Sequence, residues 1–153
     1  MCVDCHTAAS LLKLWLRELY EPLIPDSLYE EAVQLATKIE ANEQQSRKND
    51  EQGSMERETF VPKQHLENLI KRLPELNLLT LMYLVKYLQL FSRPDISCIT
   101  KMDASNLATV FAPNCLRCPS MDPIVILENT RKEMAFVKSL IVHLDTSSID
   151  GIV

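Results

Sequence analysis

Lys13 and Arg17 are the residues whose type and spacing first point to chemistry. They stand four apart in the stretch Ser10–Pro25, SLLKLWLRELYEPLIP. Successive side chains on a helix lie about 100° apart, so this spacing stacks the two cations on one side, one turn apart. Ser10 and Tyr20 fall next to them, while Ala8, Ala9, Leu11, Leu12, Trp15, Leu16 and Leu19 fall on the other side. A helix with a solid apolar face is anchored in a core. Cations on its open face are then held at fixed positions, repelling each other mildly. Such a pair suits an acidic or phosphate-bearing partner. The plainer reading is a solvated face, since most surface cations do nothing specific.

The segment Lys101–Cys118, KMDASNLATVFAPNCLRC, is the second informative stretch. Asn106 is placed in the first turn of a helix, and Asn114 just after its end, where the chain turns. Capping alone explains asparagine at both positions. The functional alternative is an amide on a turn that contacts a partner's backbone. Other chemistry is not supported. No glycine loop is present to cradle a phosphate. His6, His65 and His143 are far apart, with no carboxylate or nucleophile at a telling spacing. Cys2 with Cys5 and Cys115 with Cys118 form two C-x-x-C pairs. Glycine knuckles are missing around both, so they read as incidental rather than as zinc ligands or a redox centre. The expectation is no catalytic residue, no metal and no cofactor.

The elements that must position these residues read as helices throughout. Asp4 is a cap for the first helix, and Tyr20–Pro25 ends it. Asp26 or Ser27 caps a second, with Leu28, Ala32, Leu35, Ala36 and Ile39 buried. From about Glu40 to Thr59 almost nothing is apolar except Met55, which reads as a solvated, mobile loop, with the preceding helix extending into it for a turn or two. Pro62 suits the first turn of a third helix carrying Leu66, Leu69, Ile70 and Leu73. Asn77 caps a fourth, Leu78–Phe91, which is apolar on most sides and so central, and Pro94 stops it. Asp103 or Ser105 opens a fifth, burying Leu107, Ala108, Val110 and Phe111, and Pro113 with Asn114 ends it. Asp122 and Pro123 open the last, in which Ile126, Leu127, Met134, Val137, Ile141 and Leu144 repeat at helical spacing. No strand alternation is present, so the class is all-α.

Composition narrows the partner. The 153 residues suffice for one domain, and 46% apolar content is that of a globular chain. A net charge of -5 with no basic tract argues against nucleic acid. The start, MCVDCHTAAS, lacks a signal-peptide pattern, and Leu76–Phe91 is too short and polar to span a bilayer. The expectation is a cytoplasmic protein with reduced cysteines and no membrane insertion.

LLKLWLRELYEPLIP followed by KMDASNLATVFAPNCLR resembles the Rho GTPase-activating (RhoGAP) domain family, with both motifs in the family's order and an apolar helix between them. The similarity runs from about Asp4 to Leu144. TKMDASNLATVFAPNCLR with ENTRKEMAFVKSLIVHLDTS further resembles the Vilse/CrossGAP-type members. The resemblance implies a helical bundle that binds a Rho-, Rac- or Cdc42-type GTPase in its GTP-bound form and speeds the GTPase's own hydrolysis. Lys13 and Arg17 would contact the switch surface, with Asn106 and Asn114 in the family's second patch and Asn114 the principal contact. No residue here matches the family's catalytic arginine, which lies on a loop before these helices. The chain, residues 1–153, therefore reads as the C-terminal part of a RhoGAP domain, lacking the N-terminal helices and the arginine-finger loop. A finger-less GTPase-binding module without activator activity is the alternative. Tyr20 and Ala112 stand where the family usually has proline and glycine, which adjusts turns only.

Overall fold

A computed structural model describes residues 5–49 and 60–149. They form seven α-helices and one 3-10 turn: α1 Cys5–Glu18, α2 Asp26–Asn49, α3 Pro62–Ile70, α4 Glu75–Phe91, α5 Pro94–Thr100, α6 Ala104–Cys115 and α7 Pro123–His143, then the turn at Ser147–Ile149. No strand occurs among the described residues, and the fold is all-α.

Local chemistry sets the helix ends. Asp103 Oδ1 accepts from the Asn106 backbone N–H at 2.8 Å, and Asp122 Oδ1 accepts from that of Ile124 at 2.9 Å, so both aspartates cap as their positions predict. Pro62 occupies the first turn of α3, where its missing N–H costs nothing. The Phe60 ring, two residues before Pro62, stacks on His65 with centroids 4.5 Å apart and fixes the entry angle, in the manner of a hydrophobic staple. Asp4 lies outside the described residues.

Several boundaries differ from expectation. Helix α2 extends past Glu40 to Asn49, somewhat further than the turn or two expected, with side-chain contacts at helical spacing along it. Asn42 Nδ2 donates to the Lys38 carbonyl at 2.9 Å, and Glu43 Oε1 lies 3.4 Å from His143 Nε2 on α7. Residues 50–59 of the expected mobile insertion lie outside the described residues. Helix α4 begins at Glu75 behind Pro74, so Asn77 is no cap. Its Nδ2 donates instead to the Leu23 carbonyl at 3.0 Å, tying α4 to the α1–α2 connection. Pro94 does stop α4, but it also opens α5, which ends at Lys101 with φ 59°. Pro113 sits inside α6 rather than beyond it.

The core is one cluster. Phe136 and Leu140 of α7 pack between α6 and α2, with Tyr29, Ala32 and Ile39 from α2 and Leu107 and Phe111 from α6. Leu66 and Leu69 of α3 and Leu81, Val85 and Leu88 of α4 complete it. Gln89 spans α4 and the chain beyond α7, donating to the Leu144 carbonyl at 2.8 Å and accepting from Thr146 Oγ1 at 2.9 Å. Val110 of α6 and Ile126 and Leu127 of α7, expected inside, are exposed, and the whole stretch 123–128 at the start of α7 is exposed with them. Among the described residues no helix is long and apolar enough to cross a membrane.

Candidate functional site

The site builds outward from α1. Of its expected apolar face only Leu16 is fully enclosed, with Leu12 and Leu19 partly buried, while Leu11 is 57% and Trp15 51% exposed. The buried stripe is therefore narrow. At about 100° per residue, Lys13 lies roughly 60° around from Leu16 and Arg17 roughly 100°. They flank the stripe on one side and Trp15 flanks it on the other. Lys13 is half-buried and Arg17 exposed. Neither side chain forms an ion pair among the described residues, whereas Lys63 pairs with Asp145 at 2.9 Å, Arg93 with Asp95 at 3.0 Å, and Arg72 with Glu31. Two cations one turn apart, one half-buried and one exposed, are thus without an ion-pair partner among the described residues.

Helix α6 supplies the amides, at opposite ends. Asn114 is in the last turn of α6, not past it, and is buried. Its Nδ2 turns one N–H back to the Val110 carbonyl at 2.9 Å, a bond that does not use the side-chain oxygen. Asn106 lies eight residues earlier, about 12 Å along the axis at 1.5 Å per residue. Its Nδ2 is engaged by the Lys101 carbonyl at 2.7 Å, holding the left-handed residue that joins α5 to α6. Two links bring the ends of α1 and α6 together. The Ile24 N–H donates to the Cys115 carbonyl at 3.0 Å, and Arg117 Nη2 reaches back to the carbonyls of Arg17 and Leu19. The structure thus gathers Arg17 and Asn114 at one end of the bundle and leaves Asn106 at the other end of α6. Arg117 was not singled out in the sequence, although it belongs to the same NCLR run; nothing in its spacing signals a contact with residues about a hundred positions away.

A profile of the RhoGAP domain matches residues 1–120. The chain belongs to the RhoGAP domain family. It is 36% identical over 138 residues to GTPase activating protein homolog 2 of Dictyostelium discoideum, covering 90% of this chain and 13% of that protein. It is 40% identical over 127 residues to Rho GTPase-activating protein 24 of Rattus norvegicus, covering 83% of this chain and 15% of that one. The RhoGAP chain thus spans less than a sixth of the length of these relatives. Its fold matches the crystal structure of human Rho GTPase activating protein 15 with a TM-score of 0.71 at 22% identity, over 97% of this chain and 59% of that chain.

Beneath its surface this RhoGAP chain carries one buried polar pair. The Tyr29 hydroxyl of α2 donates to Glu133 Oε1 of α7, both side chains being enclosed. Burial first, and the Glu133 carboxylate next, push the Tyr29 hydroxyl well above its ordinary range. Burial raises the Glu133 carboxyl as well, opposed by the Tyr29 hydrogen bond. The consequence has a definite sign. A native Glu133 that keeps its proton above the ordinary glutamate value makes the folded state bind more protons than the unfolded one. Its contribution to stability is intact below about pH 4.5 and declines as pH rises through the raised value. Glu133→Gln retains an acceptor for Tyr29 and has no charge to bury. Urea midpoints measured from pH 4 to 8 should coincide for the two proteins at the acid end and favour the Gln variant increasingly toward neutrality. Parallel curves would show that Glu133 is not destabilised by burial.

No group of three or more potential metal ligands clusters among the described residues. Burial pushes the Cys115 thiol up to about 12, so it is a small core side chain without thiolate character. Cys2 lies outside the described residues.

Proposed function

We propose that this RhoGAP chain binds a Rho-family small GTPase in its GTP-bound form, at the end of the bundle where α1 meets α6, and so takes part in accelerating GTP hydrolysis in the cytoplasm. The observation that carries this reading is the pair Lys13 and Arg17, one turn apart and without an ion pair among the described residues, on a helix whose end is tied to the end of α6 that holds Asn114. Cations lacking an internal partner lose little on meeting an acidic surface, and the nucleotide-ordered switch regions of a GTPase offer one. Asn114 would add its amide oxygen to the same contact. Asn106, held by Lys101, would steady the far end of α6 and touch the GTPase only secondarily. Within the family, the TKMDASNLATVFAPNCLR run is our reason for placing the chain near the Vilse/CrossGAP-type members.

The rate gain of such domains rests on an arginine finger, worth about 10³–10⁵. In our reading none of Arg17, Arg72, Arg93, Arg117 and Arg131 serves as one, and Arg47 and Arg57 in the polar insertion are the candidates left to check. Arg72 and Arg93 are paired with carboxylates, Arg117 is engaged by carbonyls, Arg17 belongs to the binding face, and Arg131 lines a hollow with Ser105 and Thr109 toward the other end of α6. These 153 residues by themselves would then bind and stimulate only weakly, and those engaged arginines also favour the alternative of a finger-less binding module. Binding should be measured by calorimetry against Rho-, Rac- and Cdc42-type GTPases loaded with a non-hydrolysable GTP analogue, beside single-turnover hydrolysis. Binding with stimulation far below 10³ is the expected result. Full stimulation at catalytic amounts would overturn the assignment of the arginines, and no binding to any GTPase would overturn the function.

A further inference from the structure

We infer that Arg117 is a positioning residue that sets the register of the α1 binding face against Asn114. The inference rests on the GTPase-binding reading above. Arg117 follows Asn114 by three residues, on the segment leaving α6. Its Nη2 donates both to the Arg17 carbonyl and to the Leu19 carbonyl, the latter at 2.7 Å. Arg17 lies in the last turn of α1, where the final four carbonyls have no donor within the helix. A guanidinium placed there satisfies an orphan acceptor and meets the negative end of the helix dipole.

The location matters more than the bond. The clamp closes on the carbonyl of Arg17 itself, so it fixes the height and rotation of the very backbone that carries the proposed contact cation. The Ile24 N–H to Cys115 carbonyl bond, 3.0 Å, adds a second tie between the same two ends. Elsewhere α1 has a thin hold on the bundle, with Leu16 its one fully enclosed residue. Without Arg117, the end of α1 would be free to fray and shift along α6. Because the guanidinium faces the α1 carbonyls, Arg117 acts through Arg17 and does not itself need to touch the GTPase.

The test uses the 153-residue chain, a Rac-type GTPase carrying a non-hydrolysable GTP analogue, and the variants Arg117→Gln, Arg117→Lys and Arg17→Ala, singly and combined. Arg117→Gln should weaken binding about fivefold to tenfold, in keeping with a lost charge-assisted contact. Amide exchange should accelerate across residues 17–24 and stay unchanged in α2 and α7. On the Arg17→Ala background the same change should cost only about twofold, since the main group it positions is gone. Arg117→Lys keeps the charge but replaces the planar guanidinium with a shorter, more flexible ammonium stem, and should fall between; it serves in place of the Gln variant if that one fails to melt cooperatively. Full additivity with Arg17→Ala would mean that Arg117 contacts the GTPase directly or acts elsewhere, and unchanged exchange at residues 17–24 would mean that it positions nothing; either overturns the inference. Absence of GTPase binding by the unsubstituted chain would instead remove the functional reading, with the exchange data still deciding whether Arg117 holds the end of α1.

Discussion

Alanine at Arg17 will lower the affinity for a GTP-loaded Rho-family GTPase by about 10- to 100-fold, and alanine at Lys13 will do so comparably, while the fold stays intact. A hydrogen bond to a charged group is worth about 1.5–3 kcal/mol, and 1.4 kcal/mol is a factor of ten. The fold has no stake in either charge, because neither side chain forms an ion pair among the described residues. Lys13 is the subtler case, since its half-buried stem contributes packing that alanine also removes. Lys13→Met keeps the stem and deletes the charge, so it should reproduce the binding loss with no change in melting. The weakening should shrink at high salt, where screening has already diminished the wild-type attraction. Calorimetry with circular dichroism on the same samples separates the outcomes. Unaltered affinity in both variants would return the pair to the status of a solvated face, and unfolded variants would make the residues structural.

Periodicity made the helical class and most of the elements legible, because a 3.6-residue apolar repeat has one simple solution in three dimensions. Asp103 and Asp122 declared their caps because a short carboxylate before a helix has a specific N–H to reach. What was not legible follows from physics that spacing does not encode. The polar run after Glu40 has no apolar stripe, yet α2 continues through it to Asn49, held by contacts at helical spacing and a link to His143 that only the fold supplies. Pro113 reads as a stop, but near a helix end its missing N–H interrupts one bond and the helix runs on for two more residues. That extension carries Asn114 into the core's edge instead of onto a loop. The proposed binding face shows the same division. The pairing of Lys13 with Arg17 was visible as a spacing, whereas the meeting of α1 and α6 depends on Arg117 and Ile24, whose partners lie about a hundred positions away.

Leu16→Ala should be the most damaging change in α1, and should release that helix before the rest of the bundle unfolds. Leu16 is fully enclosed, whereas its neighbours Leu12 and Leu19 are only partly so. Truncating a buried leucine costs about 2–5 kcal/mol, against a total stability of about 5–15 kcal/mol for a domain. The loss falls where support is already thin. Leu16, Leu84 and Phe111 form the floor of an open groove of about 640 Å³ between α1 and α4, with Ala8 and Trp15 on one wall and Tyr83 and Tyr87 on the other. The aromatic rim leaves apolar surface in water, a feature that marks a partner site or a tendency to associate. A hydrophobic dye should therefore bind the unsubstituted chain, and bind the Leu16→Ala variant more strongly. Trp15 is the chain's single tryptophan and sits on that wall, half exposed, so its fluorescence reports α1 alone. In the variant, Trp15 emission should change at a lower urea concentration than the helical signal at 222 nm, because α2, α6 and α7 keep their own core when α1 departs. Coincident transitions in the variant, together with no dye binding by either protein, would show that α1 is as firmly integrated as the remaining helices and that the groove is closed in solution.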